Sequence, residues 1–229
     1  MKIDLTIDSP VCFIPAKGNS RRLPHKNKLL LNGKPLVTYP IEAAISSGIF
    51  PLVIVSSNDE EILEIAYEAG ATPHKRQESL CEDNVWLKQV VRFLLRVYRA
   101  SQAFCLMSPT NPFVTAEDLK RGWDMFQQPD VNYVISVRQY RTPPQIALEK
   151  DANYLKFHYE RDELGQSQDM LPLYYDDNGF TFASTQVFLQ EYDLSFYGSN
   201  CVPYELEQSV DIDTRENFDY AEYLLRRRT

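Results

Sequence analysis

Val11–Pro35, VCFIPAKGNSRRLPHKNKLLLNGKP, is the stretch whose reading decides the fold. It opens with an apolar run, Val11-Cys12-Phe13-Ile14, of the length and composition of a buried strand. Pro15 to Lys28 then breaks into turn formers: Gly18, Asn19 and Ser20, with Pro24 stopping any helix. The segment therefore reads as a loop leaving the end of a strand. Lys17, Arg21, Arg22, Lys26 and Lys28 lie within it, with His25 among them and no acid. The whole chain carries a formal net charge of −8, so this knot of cations stands against the general balance. Such a knot suits a small, multiply charged anion, and a nucleoside triphosphate fits. A solvated surface loop is the plainer reading. Position favours the ligand reading, because open α/β sheets bind ligands at the carboxyl ends of their strands. The loop matches neither G-x-x-x-x-G-K-[ST] nor G-x-G-x-x-G.

Further along, the chain alternates strands and helices. Pro40–Ser47 has helical periodicity and is closed by Gly48. Leu52–Val55 is a second buried strand. Glu60–Ala69 is a helix capped by the preceding Ser-Ser-Asn-Asp and stopped by Gly70. Lys75–Asn84 is polar and reads as a loop; Val85–Ala100 is an amphipathic helix. Ala103–Met107 is a third buried strand, Ala116–Gln127 a helix, and Asn132–Arg138 another strand. This alternation predicts a mostly parallel sheet with helices on both faces, an α/β three-layer fold. From Arg141 to Asp177 the period is lost, and the segment is polar and rich in tyrosine. It is either an interface arm or a long surface excursion. A strand at Phe180–Ala183, a short helix at Thr185–Glu191 and a strand at Val202–Glu205 follow. The expected division is a nucleotide-binding core over 1–140, an inserted arm over 141–177, and a return to the core over 178–229.

Ser209-Val210-Asp211-Ile212-Asp213-Thr214 is the second chemical landmark. In an extended segment alternate side chains share a face. Val210 and Ile212 would point inward, and Asp211 and Asp213 outward together. Two adjacent carboxylates repel unless a cation sits between them, and Mg²⁺ prefers such oxygens. Capping of the last helix, Thr214–Arg227, by Thr214-Arg215-Glu216 accounts for Asp213 but not for Asp211.

The totals exclude several classes. The acidic balance argues against a general nucleic-acid binder. No apolar run is long enough to span a membrane. MKIDLTIDSP carries Asp4 and Asp8 without a long apolar centre, and is expected to be a short extension before the first strand rather than a signal peptide. Cys12, Cys81, Cys105 and Cys201 have no zinc-ligand spacing and read as free thiols of a reducing cytoplasm.

IPAKGNSRRLPHKN followed by NGKPL resembles the signature of the sugar-acid cytidylyltransferases, which activate acidic sugars as CMP conjugates. Lys26 and Asn27 match it outright; Lys17 stands where the family usually has Arg. Arg76, Leu80 and Asp83 resemble the family's R-P-x-x-L-x-x-D, leaving Arg76 either a nucleotide contact or a surface arginine. Pro109, Thr110 and Pro112 match Q-P-T-S-P-L, with Ser108 in place of Gln. Gln166–Phe182 resembles the pseudaminic-acid branch through Gln168, Asp169, Tyr174, Tyr175 and Asp176, with Gln166 in place of its Arg. Asp211-Ile212-Asp213-Thr214 resembles the family's metal motif residue for residue.

The resemblance implies a nucleotidyltransferase fold with a dimerisation arm, and transfer of a cytidylyl group from CTP with Mg²⁺ (or Mn²⁺). It implies Lys26 and Arg21 on the departing pyrophosphate, and Ala16, Lys17, Ser20, Asn27 and Arg76 on the nucleotide. Ser108, Thr110, Gln168 and Tyr175 would face the sugar, and Asp211 and Asp213 would hold the metal. Pseudaminic acid is the expected sugar, with N-acetylneuraminic, legionaminic and Kdo acids as alternatives. A nucleotidyltransferase for another base or sugar, or a nucleotide-binding homologue with weak catalysis, would keep the same loop. The expected assembly is a homodimer.

Overall fold

The structure, a computed structural model, describes residues 10–98, 102–159, 170–191 and 196–227. The N-terminal extension before residue 10 lies outside them. Its strands are β1 (Val11–Pro15), β2 (Leu30–Leu31), β3 (Lys34–Pro35), β4 (Val53–Ser57), β5 (Thr72–Lys75), β6 (Ala103–Met107), β7 (Tyr133–Gln139), β8 (Leu148–Asp151), β9 (Tyr154–Phe157), β10 (Tyr174–Ser184) and β11 (Cys201–Glu205). Its α-helices are α1 (Thr38–Ser47), α2 (Glu60–Glu68), α3 (Leu87–Tyr98), α4 (Ala116–Phe126), α5 (Thr185–Gln190) and α6 (Arg215–Arg226). The central sheet has the order β11-β7-β10-β6-β1-β4-β5. Every neighbouring pair is parallel except those made by β10, which runs antiparallel to both β6 and β7.

The pleat of β1 explains the layers. Cys12 and Ile14 pack on one face with Ile41 and Ala44 of α1, Ile62 and Ala66 of α2 and Leu119 of α4. Val11 and Phe13 pack on the other with Val90, Val91 and Leu94 of α3 and Phe188 of α5. A strand buried on both faces needs an unbroken apolar run, and VCFI supplies it. A third cluster lies beside the sheet. It joins Leu23 of the cationic loop, Leu31 and Leu36, Phe113, Val210, Ile212, and Phe218 and Ala221 of α6. Burial of these side chains draws the two ends of the chain together.

The structure corrects the sequence reading at several points. Lys75 is not the start of a loop: Thr72–Lys75 pairs with β4 as an edge strand. Pro73 has no N–H to donate, which is tolerated on an edge. The stretch 141–177 contains the hairpin β8–β9, and β10 runs across the expected boundary between 177 and 178. Ser209–Thr214 is not a sheet strand; it is anchored by Ile212 N–H donating to the Thr110 carbonyl at 3.0 Å. Thr214 does cap α6, but Asn217, not Glu216, closes the capping box. Among the described residues no helix is long and apolar enough to cross a membrane.

Candidate active site

The site is built where β1, β4 and β6 end. Ala16, directly after β1, is fully buried, and its N–H donates to the Ser56 carbonyl at 2.9 Å. The loop beyond it is braced from within. Asn27 is 4 % exposed, and its side-chain amide donates to the Lys17 carbonyl at 2.8 Å. Asn27 Oδ1 is buried with no hydrogen-bond partner among the described residues. Behind the loop, Asn58 Oδ1 accepts from Gly18 N–H at 3.0 Å. Asp59 caps α2 and holds Lys28 at 2.9 Å. Ser-Ser-Asn-Asp is therefore both helix cap and loop support.

Gly18 is required by that close approach. A Cβ there would lie 2.7 Å from Asp59 Cβ and 3.3 Å from Asn58 Oδ1. Gly18→Ala is expected to cost about 1–3 kcal/mol through overpacking against the α2 cap. A thermal melt checks this; an unchanged Tm would show that the loop is not held against α2.

The four loop cations other than Lys28 are divided between two carboxylate partners. Lys17 Nζ lies 3.2 Å from Asp83 Oδ1, and Arg21 contacts the other oxygen of Asp83. Hydrogen bonding from Lys17, joined by Arg21, holds the Asp83 carboxyl below its ordinary range. Lys26 Nζ lies 2.7 Å from Asp213 Oδ1 and donates to the Ile212 carbonyl at 3.0 Å. Arg22 reaches Asp213 Oδ2 at 2.5 Å. Lys26 and Arg22 of the cationic loop thus lie directly on Asp213 of the aspartate pair, although 187 positions separate Lys26 from Asp213.

Asp211 has a different environment. Its Oδ1 accepts from Thr110 Oγ1 at 2.8 Å, and its Oδ2 from Asn178 Nδ2 at 3.0 Å. Ser108 Oγ lies 2.9 Å from Thr110 Oγ1, so the hydroxyls of the loop after β6 lead to this carboxylate. Burial pushes the Asp211 carboxyl above its ordinary range, and the charge of Asp213 adds to that shift. Thr110, Lys26 and Asn178 oppose it.

Arg76 is not a surface side chain. It is 5 % exposed, donates from Nη2 to the Ser56 carbonyl at 2.6 Å, and from Nε to Ser56 Oγ at 3.1 Å. That carbonyl also receives Ala16 N–H, so Arg76 and Ala16 are neighbours. Burial lowers the guanidinium pKa. Ser20 lies partly exposed on the same loop. Tyr175 is 40 % exposed and packs against Tyr140, with ring centroids 4.9 Å apart. Gln168, with Gln166 and Asp169, lies outside the described residues.

A cavity of about 130 Å³ adjoins Ser108, between Leu87, Met107, Asp176, Asn178 and Phe196. Two residues here were not assigned a role from sequence. Asp83, which fits the family pattern without a stated role, is the carboxylate partner of Lys17 and Arg21. Asn178-Gly179 is a turn signal that the surrounding tyrosines obscured.

This architecture, with the cationic loop leaving the end of β1 and resting on Asp213, is the fold of the nucleotidyltransferases. The family model for cytidylyltransferases matches residues 11–228, and the chain belongs to that family. It is similar to the pseudaminic acid cytidylyltransferase of Campylobacter jejuni, with 32 % identity over 93 % of this chain and 95 % of that one. It is also similar to the N-acylneuraminate cytidylyltransferase of Streptococcus agalactiae, with 31 % identity over 91 % of this chain and 51 % of the relative. Among solved structures it resembles CMP:2-keto-3-deoxy-manno-octonic acid synthetase complexed with CTP. The TM-score there is 0.72 at 14 % identity, over 97 % of this chain and 100 % of the other. Family and relatives together support a sugar-acid cytidylyltransferase activity.

Proposed function

We propose that the chain transfers the cytidylyl group of CTP to an acidic nine-carbon sugar, pseudaminic acid first among the candidates, with release of pyrophosphate. The observation that carries this reading is the contact between Lys26 of the cationic loop and Asp213 of the aspartate pair. The anomeric hydroxyl would attack the α-phosphorus in line. Such a transfer asks the protein for positioning and charge neutralisation rather than covalent chemistry.

The donor set fits a hard divalent ion. Asp211 and Asp213 stand two residues apart on one extended segment; burial, with a smaller contribution from the charge of Asp213, raises the Asp211 pKa, and a cation beside both would favour the ionised form. Asp211 and Asp213 would hold Mg²⁺ (or Mn²⁺), whose chemistry is to neutralise charge on phosphate oxygens. Lys26 would exchange Asp213 for the triphosphate and, with Arg21, take up charge on the departing pyrophosphate. Arg21, whose side chain is 81 % exposed, would exchange Asp83 for the triphosphate in the same way. Lys17 and Ser20 would hold the nucleotide over a loop kept in shape by Asn27, with Ala16 and Arg76 at the base. Ser108 and Thr110 would border the sugar side, and Gln168 and Tyr175 would contact the sugar.

A pyrophosphate-release assay tests the reading, with CTP, UTP, ATP and GTP each offered pseudaminic, legionaminic, N-acetylneuraminic and Kdo acids. CTP with pseudaminic acid is expected to be fastest. Binding of CTP with no pyrophosphate from any sugar would instead mark a catalytically weak homologue.

The assembly we infer is a homodimer joined through the hairpin β8–β9. That hairpin exposes Leu148, Tyr154, Leu155 and Phe157, with Leu155 at 68 % exposure. Apolar side chains concentrated on one small hairpin mark an interaction surface. Leu155→Glu is expected to weaken self-association at least about tenfold, the cost of burying one charge at an apolar contact. Sedimentation velocity reads the change. A wild-type chain that is monomeric at high micromolar concentration would remove this assembly.

A further inference from the structure

β10 is interrupted by an irregularity between Asp176 and Thr181 in its pairing with β7. Each residue of that stretch has a defined place. Asp176 Oδ1 accepts from Asn178 N–H at 2.8 Å and fixes the turn. Asp177 points inward and accepts from Ser136 Oγ at 2.6 Å. Gly179 leaves no room for a side chain: a Cβ there would meet Ser136 Oγ at 2.7 Å and Leu206 Cδ1 at 2.8 Å. Asn178 takes the left-handed conformation, φ 53°, which asparagine tolerates better than most residues. The outcome is one exposed side chain turned onto the aspartate pair, with Asn178 Nδ2 on Asp211 Oδ2 at 3.0 Å.

The two aspartates are consequently held by opposite means. Lys26 and Arg22 take both oxygens of Asp213, so its charge is already balanced. Thr110 and Asn178 take Asp211 through neutral donors, which orient it without an ion pair of its own; Lys26, paired with Asp213, acts on it only through space. The same Asn178 lines the cavity beside Ser108.

We propose that Asn178 is a positioning residue for the reaction: it fixes the Asp211 carboxylate toward an incoming cation and ties that orientation to the cavity next to Ser108. This deepens the function proposed above and rests on it. Neutral donors behind a ligating carboxylate are the kind of support whose loss typically weakens metal affinity or activity about 10–100-fold.

Two variants separate side chain from backbone. Asn178→Gly keeps the left-handed turn and removes only the amide. Asn178→Asp keeps shape and turn but sets a carboxylate against Asp211. Mn²⁺ alone is titrated into each protein without nucleotide, and the free-ion electron paramagnetic resonance signal gives affinity. Pyrophosphate release then gives kcat and the KM for CTP. For Asn178→Gly we expect Mn²⁺ affinity and kcat both to fall about tenfold, with KM for CTP within about twofold and the melting curve little changed. For Asn178→Asp, Mn²⁺ affinity is expected to survive or rise through added charge, while kcat stays low because the orientation is lost. Wild-type Mn²⁺ affinity and kcat in Asn178→Gly would overturn the positioning role. A wild-type chain that releases no pyrophosphate would instead remove the proposed function, leaving the Mn²⁺ titration to judge Asn178 alone.

Discussion

Lys26→Ala is expected to lower kcat by about 10²–10³, the usual cost of removing one preorganised donor from a developing charge. The fold should tolerate the change. Lys26 is 15 % exposed on its side chain, and its partners are the Asp213 carboxylate and the Ile212 carbonyl. Losing a partly solvated pair costs about 1 kcal/mol, or roughly 2–4 °C in Tm for a chain of this size. Arg22 still balances Asp213 in the variant. The KM for CTP should rise less than kcat falls, because Lys26 is assigned to charge that grows as pyrophosphate leaves. Lys26→Arg should recover little, since a planar fork does not reproduce a compact ammonium at 2.7 Å from one carboxylate oxygen. Steady-state kinetics with the preferred sugar, beside a thermal melt, check all of this. Turnover of Lys26→Ala within a few fold of wild type would strip Lys26 of its role.

Asp213→Asn is expected to have an effect of similar size and a contrary signature in binding. Turnover should fall about 10²-fold or more, because charge neutralisation at the transferring phosphate is worth several kcal/mol. Metal-free CTP, however, should bind more tightly than to wild type. The substitution removes a negative charge from beside Lys26 and Arg22, whose distances to Asp213 are 2.7 and 2.5 Å. Both cations would then be available to the triphosphate. Calorimetry in the presence of a chelator reads the tightening, expected at about threefold or more. Lost turnover together with weakened metal-free binding would place Asp213 in loop architecture rather than in the chemistry.

What the sequence disclosed follows from what burial does to composition. VCFI, LVIV and AFCLM are central strands because only an unbroken apolar run can be covered on both faces. Thr72–Lys75 escaped because an edge strand with Pro73 carries neither alternation nor an apolar run. The alternation of Val210 and Ile212 with the aspartates was legible from two-residue periodicity, and both apolar side chains do lie in a core, but Asp211 is largely desolvated rather than outward. Their partners were not. Lys26 meets Asp213 only because the third cluster folds Leu23 and Leu31 onto Phe218 and Ala221, a long-range consequence that no local window contains. Arg76 left two readings because its desolvation is paid by the end of β4, at Ser56, which sequence spacing does not reveal. Asn178 was hidden by its context: its left-handed conformation and its reach to Asp211 both depend on how β10 packs against Ser136.

The most direct measurement is a crystal structure of the chain soaked with CTP and Mn²⁺, with data collected at the manganese edge. The expected map has an anomalous peak between Asp211 and Asp213, the triphosphate against Lys26 and Arg21, and the cytosine beside Ala16 and Arg76. A nucleotide bound elsewhere, or a manganese peak away from both aspartates, would contradict the account.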